Sequence, residues 1–431
     1  MAVKRIIMLS VHTSPLAPLG GKKTGGMNVY VRELAETLGA QGIEVDIYTR
    51  KSAPDQPEVD VSLGKNVRVI YVPCGPAQVL DPDAVYPYLS QFTAGVFAFI
   101  TKDPVQYDII YSHYWLSGWV AYKLKEVWNI PIVQMFHTLG HMKNRISAVK
   151  TPLPDVRIGT ERQIVDWADV IIAATPAEYN QLLWLYHADR RKIAIIPPGV
   201  KSEMFKPIPQ QFARQQLGID DVCQLLLFVG RIEPLKAVDT ILEALAIIQK
   251  THPEALCNSC FAVVGGNPDD PDTELARLFE MVKAFGLDEV VRFMGAKSHD
   301  LLPYYYASAT AVIMPSDYES FGMVALEAMA SGTPVIATEV GGLAFLVRDG
   351  ETGYLVPVRD PQALADRMLT LLTDCQTRQT LGENATHLAH EYDWHLIAER
   401  LLGLFNDQIR RNMPSVVINR HTHSGYLPPL H

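Results

Sequence analysis

Short apolar runs alternate with stretches of helical periodicity along most of this chain, and that alternation predicts a layered α/β architecture. Residues 5–11 (Arg-Ile-Ile-Met-Leu-Ser-Val) have the length and composition of a buried strand. A loop rich in Gly and Pro runs from His12 to Gly26. Residues 27–38 then show helical periodicity, with Gly39 and Gly42 just beyond, and residues 44–49 read as the next strand. Strand, glycine loop, helix and strand make a parallel βαβ unit. The pattern recurs with strands at 67–72, 109–112, 132–136, 170–173 and 193–196, and helices near 88–100, from 117 and through 162–167.

Pro197-Pro198-Gly199, followed by Pro207 and Pro209, interrupts the alternation and predicts a domain boundary. A second series follows, with strands at 225–231, 261–264, 290–294, 311–314, 335–337 and 353–356 and a helix at 238–250. The expected organisation is an N-terminal Rossmann-like domain over residues 1–198 and a C-terminal one over 199–395. A last helix, about 396–411, packs back on the first domain, and 412–431 form a loose tail. Ligands of doubly wound sheets sit outside the carboxyl ends of the strands. The cleft between the two halves is therefore the place to look for chemistry.

Several stretches fall at such strand ends. Pro315 to Glu327 (Pro-Ser-Asp-Tyr-Glu-Ser-Phe-Gly-Met-Val-Ala-Leu-Glu) leaves one buried run and enters a helix. Glu319 lies in the loop and Glu327 about one turn inside. Phe321, Gly322 and Met323 lie at the helix mouth, where backbone N–H groups and the helix dipole suit an anion. Such a stretch suits a long, polar, phosphorylated ligand. Gly25-Gly26 with Asn28 opens the first helix; the plain alternative is a turn. Gly230-Arg231 to Lys236 sets two cations five residues apart, able to neutralise a leaving diphosphate; the alternative is a solvated charged loop. His137 (Phe-His-Thr-Leu-Gly-His-Met-Lys, 136–143) projects at a strand end, in a catalytic or a structural role. Residues 112–115 (Ser-His-Tyr-Trp) read as an aromatic loop lining a sugar site, or equally as core. Arg157 offers a cation to an anionic acceptor, or lies on a solvated helix face. Gly265 sits in a further glycine turn suited to close backbone approach.

Composition narrows the field. The chain has 431 residues, 48% hydrophobic and 20% charged, with a formal net charge of −9, which argues against nucleic acid as the main partner. No apolar run approaches the roughly 20 residues of a membrane span. Five cysteines are few and odd in number for a disulfide framework, so a reducing cytoplasm is the expected setting. Cys257-Asn-Ser-Cys260 reads as a plain loop, with zinc or a redox pair as alternatives. Dinucleotide fingerprint, Gly-x-Ser-x-Gly elbow, His-Glu-x-x-His and Walker-type loop are all missing from the sequence.

With these motifs in place, the chain over residues 6–405 resembles the retaining group 1 (family 4) glycosyltransferases of GT-B architecture. Glu319 and Glu327 match the family's Glu-x7-Glu motif, and Arg231 with Lys236 its diphosphate-binding pair. Residues 24–31, 112–118 and 137–140 look like the branch of inositol-phosphate glycosyltransferases and sucrose-phosphate synthases. The resemblance implies that Glu319 and the backbone of Phe321, Gly322 and Met323 hold the donor sugar and diphosphate, and that Glu327 holds the ribose. Arg231 and Lys236 would stabilise the leaving nucleoside diphosphate. Gly26 and Gly265 would approach the donor, and Arg292 to Met294 would flank the base. His137 would contact the donor sugar at the reacting centre. Tyr114, Thr138 and Arg157 would hold an acceptor phosphate, with Asn28 and Lys143 beside them.

Two departures stand out: Pro82 occupies the place of an acceptor lysine in the inositol-phosphate branch, and Val156 that of one arginine of the synthase pair. The implied activity is retaining, metal-independent transfer of a hexosyl group from a UDP-sugar, UDP-glucose or UDP-N-acetylglucosamine first, to a small polyol, sugar or sugar phosphate. No cofactor is implied, and a homodimer is within the range of assemblies considered. Rivals are a GDP-mannose-dependent lipid mannosyltransferase, a UDP-sugar epimerase of the same fold and a non-catalytic nucleotide-sugar binding module.

Overall fold

A computed structural model describes residues 2–17, 25–142, 156–219, 224–269, 271 and 273–412. The expected acceptor residue Lys143 and residues 413–431 of the expected tail lie outside them. The first sheet has eight strands: β1 (Arg5–Leu9), β2 (Glu44–Arg50), β3 (Val59–Asp60), β4 (Val67–Val72), β5 (Ile109–His113), β6 (Ile132–Met135), β7 (Val170–Ala173) and β8 (Ile193–Ile195). Their order is β3-β4-β2-β1-β5-β6-β7-β8, parallel throughout except where the short β3 runs antiparallel to β4. The second sheet holds β9 (Gln224–Val229), β10 (Ser259–Val264), β11 (Val291–Gly295), β12 (Ala311–Met314), β13 (Val335–Thr338) and β14 (Gly353–Val356) in the order β11-β10-β9-β12-β13-β14.

Helices cover both faces of each sheet, so the central strands bury successive side chains rather than alternate ones. Ile6, Ile7, Met8 and Leu9 of β1 are all inaccessible, as are Leu226 and Leu227 of β9. In each sheet the strand order reverses beside its first strand. The reversal lies between β2 and β5 around β1, and between β10 and β12 around β9. These switch points open a crevice at the carboxyl ends. Gly26 follows β1, Tyr114 follows β5, Arg231 follows β9 and Glu319 follows β12. Topology delivers these four strand-end positions to two crevices.

The chain passes between the halves twice. Val200 N–H donates to Tyr392 O at 2.8 Å and Trp394 N–H to Val200 O at 3.2 Å. The C-terminal helix (Trp394–Asn412) then returns to the first sheet. Trp394 meets the Tyr30 ring edge-on at 5.2 Å, Phe405 meets Tyr111 at 5.4 Å, and Asn406 Oδ1 accepts from Val3 N–H at 2.7 Å.

Several expectations change. Residues 112–115 are not an aromatic loop: β5 ends at His113 and a helix (Tyr114–Trp128) starts at once, with Trp115 buried in the core. Arg157 lies on a helix (Val156–Trp167) yet is buried instead of solvated. β3 and the helix Pro176–Tyr186 have no counterpart in the sequence reading. Cys257 carries a free, exposed thiol whereas Cys260 is disulfide-bonded, so the two do not form a redox pair with each other.

The crossing between halves leaves no room at Gly199. A methyl group there would stand 2.5 Å from Trp394 Cδ2 and 2.8 Å from Cε3. Overpacking of this kind costs about 1–3 kcal/mol. Gly199→Ala is therefore expected to lower the denaturation midpoint, measured by chemical unfolding; an unchanged midpoint would show that the indole yields freely.

Candidate active site

The first helix, α1 (Gly26–Ala40), opens the cleft from the N-terminal side. Its first turn closes on the N-cap, with Asn28 N–H donating to Gly25 O at 2.9 Å. Asn28 holds this mouth in shape: its Oδ1 accepts from Gly25 N–H at 3.1 Å, and its Nδ2 donates to Thr13 Oγ1 at 2.6 Å and Ser14 O at 2.7 Å. The Asn28 side chain is buried and occupied by its own loop. A methyl on Gly25 would lie 3.9 Å from Arg231 Nε, and one on Gly26 would lie 3.4 Å from Met323 Cγ. The glycine mouth of one half thus faces both the cation loop and the Met323 helix of the other.

On the far side, Lys236 Nζ donates to Glu319 Oε2 at 2.5 Å, and Arg231 pairs with Glu233 at 2.8 Å. Arg359 clamps the two loops from behind. Its guanidinium reaches Asp317 at 2.5 and 2.6 Å, Asp239 at 2.9 Å and Pro234 O at 3.1 Å. The Glu319 loop is pressed against a glycine turn after β13. Gly342 N–H donates to Glu319 O at 2.9 Å, and a methyl on Gly342 would stand 2.2 Å from Phe321 Cα. Gly322 caps the helix Met323–Ala330 with φ of 104°, a conformation glycine adopts freely. Gly265, at the end of β10, similarly abuts Gly230 O, which a methyl would approach to 1.9 Å. Arg292 on edge strand β11 turns its guanidinium back to Asp288 O, and Met294 is half-buried beside it.

Glu327 departs from the picture of an open ribose ligand. It is buried, with Oε2 accepting from Tyr306 at 2.7 Å and Oε1 lying 3.3 Å from His299 Nε2.

His137 holds a left-handed backbone, φ 61°, at the end of β6. Its Nε2 lies 3.0 Å from His113 Nδ1, and Tyr30 packs edge-on to its ring at 5.2 Å. Burial, and then the His12 imidazole, push His137 down to about 3, and burial also holds His113 well below its ordinary range. At neutral pH His137 is therefore a neutral hydrogen-bonding ring and not a proton donor of imidazolium strength.

The three predicted acceptor residues come together. Arg157 donates to Tyr114 Oη at 3.0 Å, to Thr138 O at 2.6 Å and to Thr138 Oγ1 at 3.1 Å, and its guanidinium lies over the Tyr114 ring. Glu161, one helical turn on, accepts from Arg157 Nε at 2.7 Å and from Gly140 N–H at 3.0 Å, with Tyr186 as a further donor. Burial works to lower the Arg157 pKa, but Glu161 and Tyr114 more than offset it. Arg157 thus stays charged in a site that excludes most water.

Four groups here escape a strand-by-strand reading of the sequence: Glu161, Arg359, Glu178 and Tyr318. Spacing of i, i+4 from Arg157 was the available signal for Glu161. Glu178 sits in the first turn of the helix Pro176–Tyr186. Its Oε2 accepts from Ala174 N–H at 2.7 Å, and its buried Oε1 has no partner among the described residues. Tyr318 carries a phenol pushed upward first by burial, then by the Glu178 and Glu319 carboxylates, against the pull of Arg157.

Known proteins carry the same pattern. Residues 24–203 match the model described as Glycosyltransferase Family 4, and residues 209–388 the model described as Glycosyl transferases group 1. A D-inositol 3-phosphate glycosyltransferase of Corynebacterium glutamicum is 38% identical over 425 residues, covering 98% of this chain and 100% of the relative. The chain belongs to the group 1, family 4 glycosyltransferases. Sucrose-phosphate synthase from Thermosynechococcus elongatus superposes with a TM-score of 0.85 at 33% identity, covering 95% of this chain and all of that one. HepE of Anabaena, solved with UDP and glucose, superposes at 0.73 and 20% identity, covering 94% of this chain and all of that one, a likeness of fold alone. The glycosyltransferase has the GT-B architecture of two Rossmann-like halves and acts as a hexosyltransferase. Among the described residues, no three His, Cys, Asp or Glu side chains group as a metal site, and no helix is long and apolar enough to cross a membrane.

Burial pushes Glu178 up to about 7. Between pH 4.5, the ordinary value, and 7 the folded state holds a proton that the unfolded state has released. Stability from this site therefore falls as pH rises through that window and stays low above it. Glu178→Gln keeps an acceptor for Ala174 N–H and removes the ionisation. The variant is expected to gain about 2–4 kcal/mol relative to the parent between pH 5 and pH 8. Urea unfolding at both pH values measures it; a gain independent of pH would exclude a protonated Glu178.

Proposed function

We propose that the glycosyltransferase moves a hexosyl group, with retention, from a UDP-sugar to a small polyol, sugar or sugar-phosphate acceptor. UDP-glucose or UDP-N-acetylglucosamine is the favoured donor. The observation that carries the reading is the convergence of Arg231, Lys236 and the Glu319 loop on the glycine mouth of α1. Cations, a helix N-terminus and close-approach glycines then face one another across the cleft, groups suited to the negative charge that develops on a diphosphate as the sugar leaves.

In this reading Arg231 and Lys236 stabilise the leaving UDP. Glu319 releases Lys236 in part and holds sugar hydroxyls together with the backbone of Phe321, Gly322 and Met323. Glu327 faces the ribose, and the backbone from Arg292 to Met294 flanks the base. Gly26 and Gly265 admit the phosphates and sugar. His137, neutral, hydrogen-bonds the sugar at the reacting centre, and a phosphate oxygen of the leaving group takes the acceptor proton. Tyr114, Thr138 and Arg157 receive the acceptor. Their saturated network suits an anion that replaces Thr138 and Tyr114 on the guanidinium, and relatives named for D-inositol 3-phosphate and sucrose phosphate use phosphorylated partners. Pro82 opens the short helix Pro82–Val85 near this cluster, where the branch pattern has a lysine. Asn28 shapes the α1 mouth and reaches the acceptor only through it. The setting is cytoplasmic, with a homodimer as the assembly to test by analytical ultracentrifugation.

Purified protein incubated with UDP- and GDP-sugars and a panel of polyols, sugars and sugar phosphates, D-inositol 3-phosphate included, tests the reading directly. Transfer from UDP-sugars with the donor's anomeric configuration kept, seen by NMR, supports it; product without acceptor, or transfer from GDP-mannose alone, overturns it. Turnover should survive EDTA. Arg231→Ala and Lys236→Ala should each slow transfer about 10²-fold or more, and near-parental turnover in both would remove the leaving-group role.

A further inference from the structure

Glu327 is joined to the opposite half of the molecule by a chain of hydrogen bonds. His299 lies in the link after β11 and is buried, with the Phe205 ring edge-on to it at 5.2 Å. Its Nε2 is 3.3 Å from Glu327 Oε1, and its Nδ1 is 3.1 Å from Arg32 Nη2 on α1. A guanidinium donates and never accepts. Nδ1 must therefore carry the lone pair, the ring proton must sit on Nε2, and that proton points at Glu327. Direction runs one way: Arg32 to His299 to Glu327. Glu33, also on α1, lies 3.9 Å from the same Nδ1 and 3.5 Å from Arg32, and Lys201 ties Glu36 on the next turn at 2.9 Å. Burial raises the Glu33 pKa.

Tyr306 holds the other Glu327 oxygen, so each oxygen has one protein donor and keeps a second acceptor site. Two adjacent sites on a fixed carboxylate match the paired hydroxyls of a ribose. We propose that His299 is a positioning residue for the nucleotide ribose, orienting Glu327 through a relay anchored on Arg32 of α1. The inference rests on the assignment of Glu327 to the ribose. It goes further in making nucleotide affinity depend on a side chain of the acceptor half that touches no ligand. Arg32 polarises His299, a polarised imidazole donates more strongly, and the relay is intact only when α1 stands against the Glu327 helix.

UDP alone is the probe, with binding measured by calorimetry on the full chain and folding checked by thermal melts. His299→Phe fills the space but removes both hydrogen bonds, and should weaken UDP about tenfold, the scale of one lost bond to a charged group. His299→Gln restores a donor toward Glu327 and should recover most of that loss. Arg32→Met should weaken UDP about threefold or more, raising the donor KM with little change in kcat. If Glu327→Gln weakens UDP while His299→Phe and Arg32→Met stay within about twofold of the parent, the relay is overturned and the ribose assignment stands. If Glu327→Gln itself leaves UDP binding unchanged, the assignment falls and the relay with it. Should His299→Phe fail to fold, the Arg32→Met and His299→Gln pair decides.

Discussion

An ammonium and a carboxylate in contact at Lys236 and Glu319 set the resting geometry of the cleft. A partly buried ion pair repays its desolvation only with good geometry and further hydrogen bonds. Here the geometry comes from behind: Arg359 fixes both loops to Asp317 and Asp239, and the Gly341-Gly342 turn presses on the Glu319 backbone. The loops are thus held in place before a ligand arrives. In the resting cleft the ammonium and the carboxylate satisfy each other. Fixed charges of this kind lower the cost of reorganisation when the leaving group becomes anionic.

Much of the fold was legible because parallel sheets covered on both faces produce unbroken apolar runs, and their loops must return to the same edge. From that, the cleft and the loops of Gly26, Arg231, Glu319 and His137 followed by position alone. Alternatives stayed open where the decisive fact was a contact between distant segments. Trp115 follows a strand and is aromatic, as a sugar platform would be; only the helix starting at Tyr114 turns it into the core. Arg157 looks like a surface cation in a polar helix, and Glu161, Tyr114 and Thr138 are what bury it. Arg359 lies far along the chain from the loops it joins, and no periodicity marks such a residue. Gly341 and Gly342 look like an ordinary turn until the Glu319 backbone is placed against them.

The two sides of the cleft differ in kind. Around the Glu319 loop and the mouth of α1 the close approaches are mostly of backbone and glycine, so residue identity is constrained by space. Around Arg157 they are side chains in a closed network, where Arg157 is held by Glu161 and shared among Tyr114 and Thr138. A network of that type can be retuned by one substitution at its rim without disturbing the sheet beneath.

The Tyr30 ring lies edge-on to His137 on one side and to Trp394 on the other, each at 5.2 Å. A segment synthesised long after His137 therefore forms the back wall of the histidine's surroundings. During translation the first half can assemble its sheet while that wall is missing, and the His137 environment is completed only when the C-terminal helix docks. The order of synthesis thus leaves the surroundings of His137 incomplete until the C-terminal helix has been made.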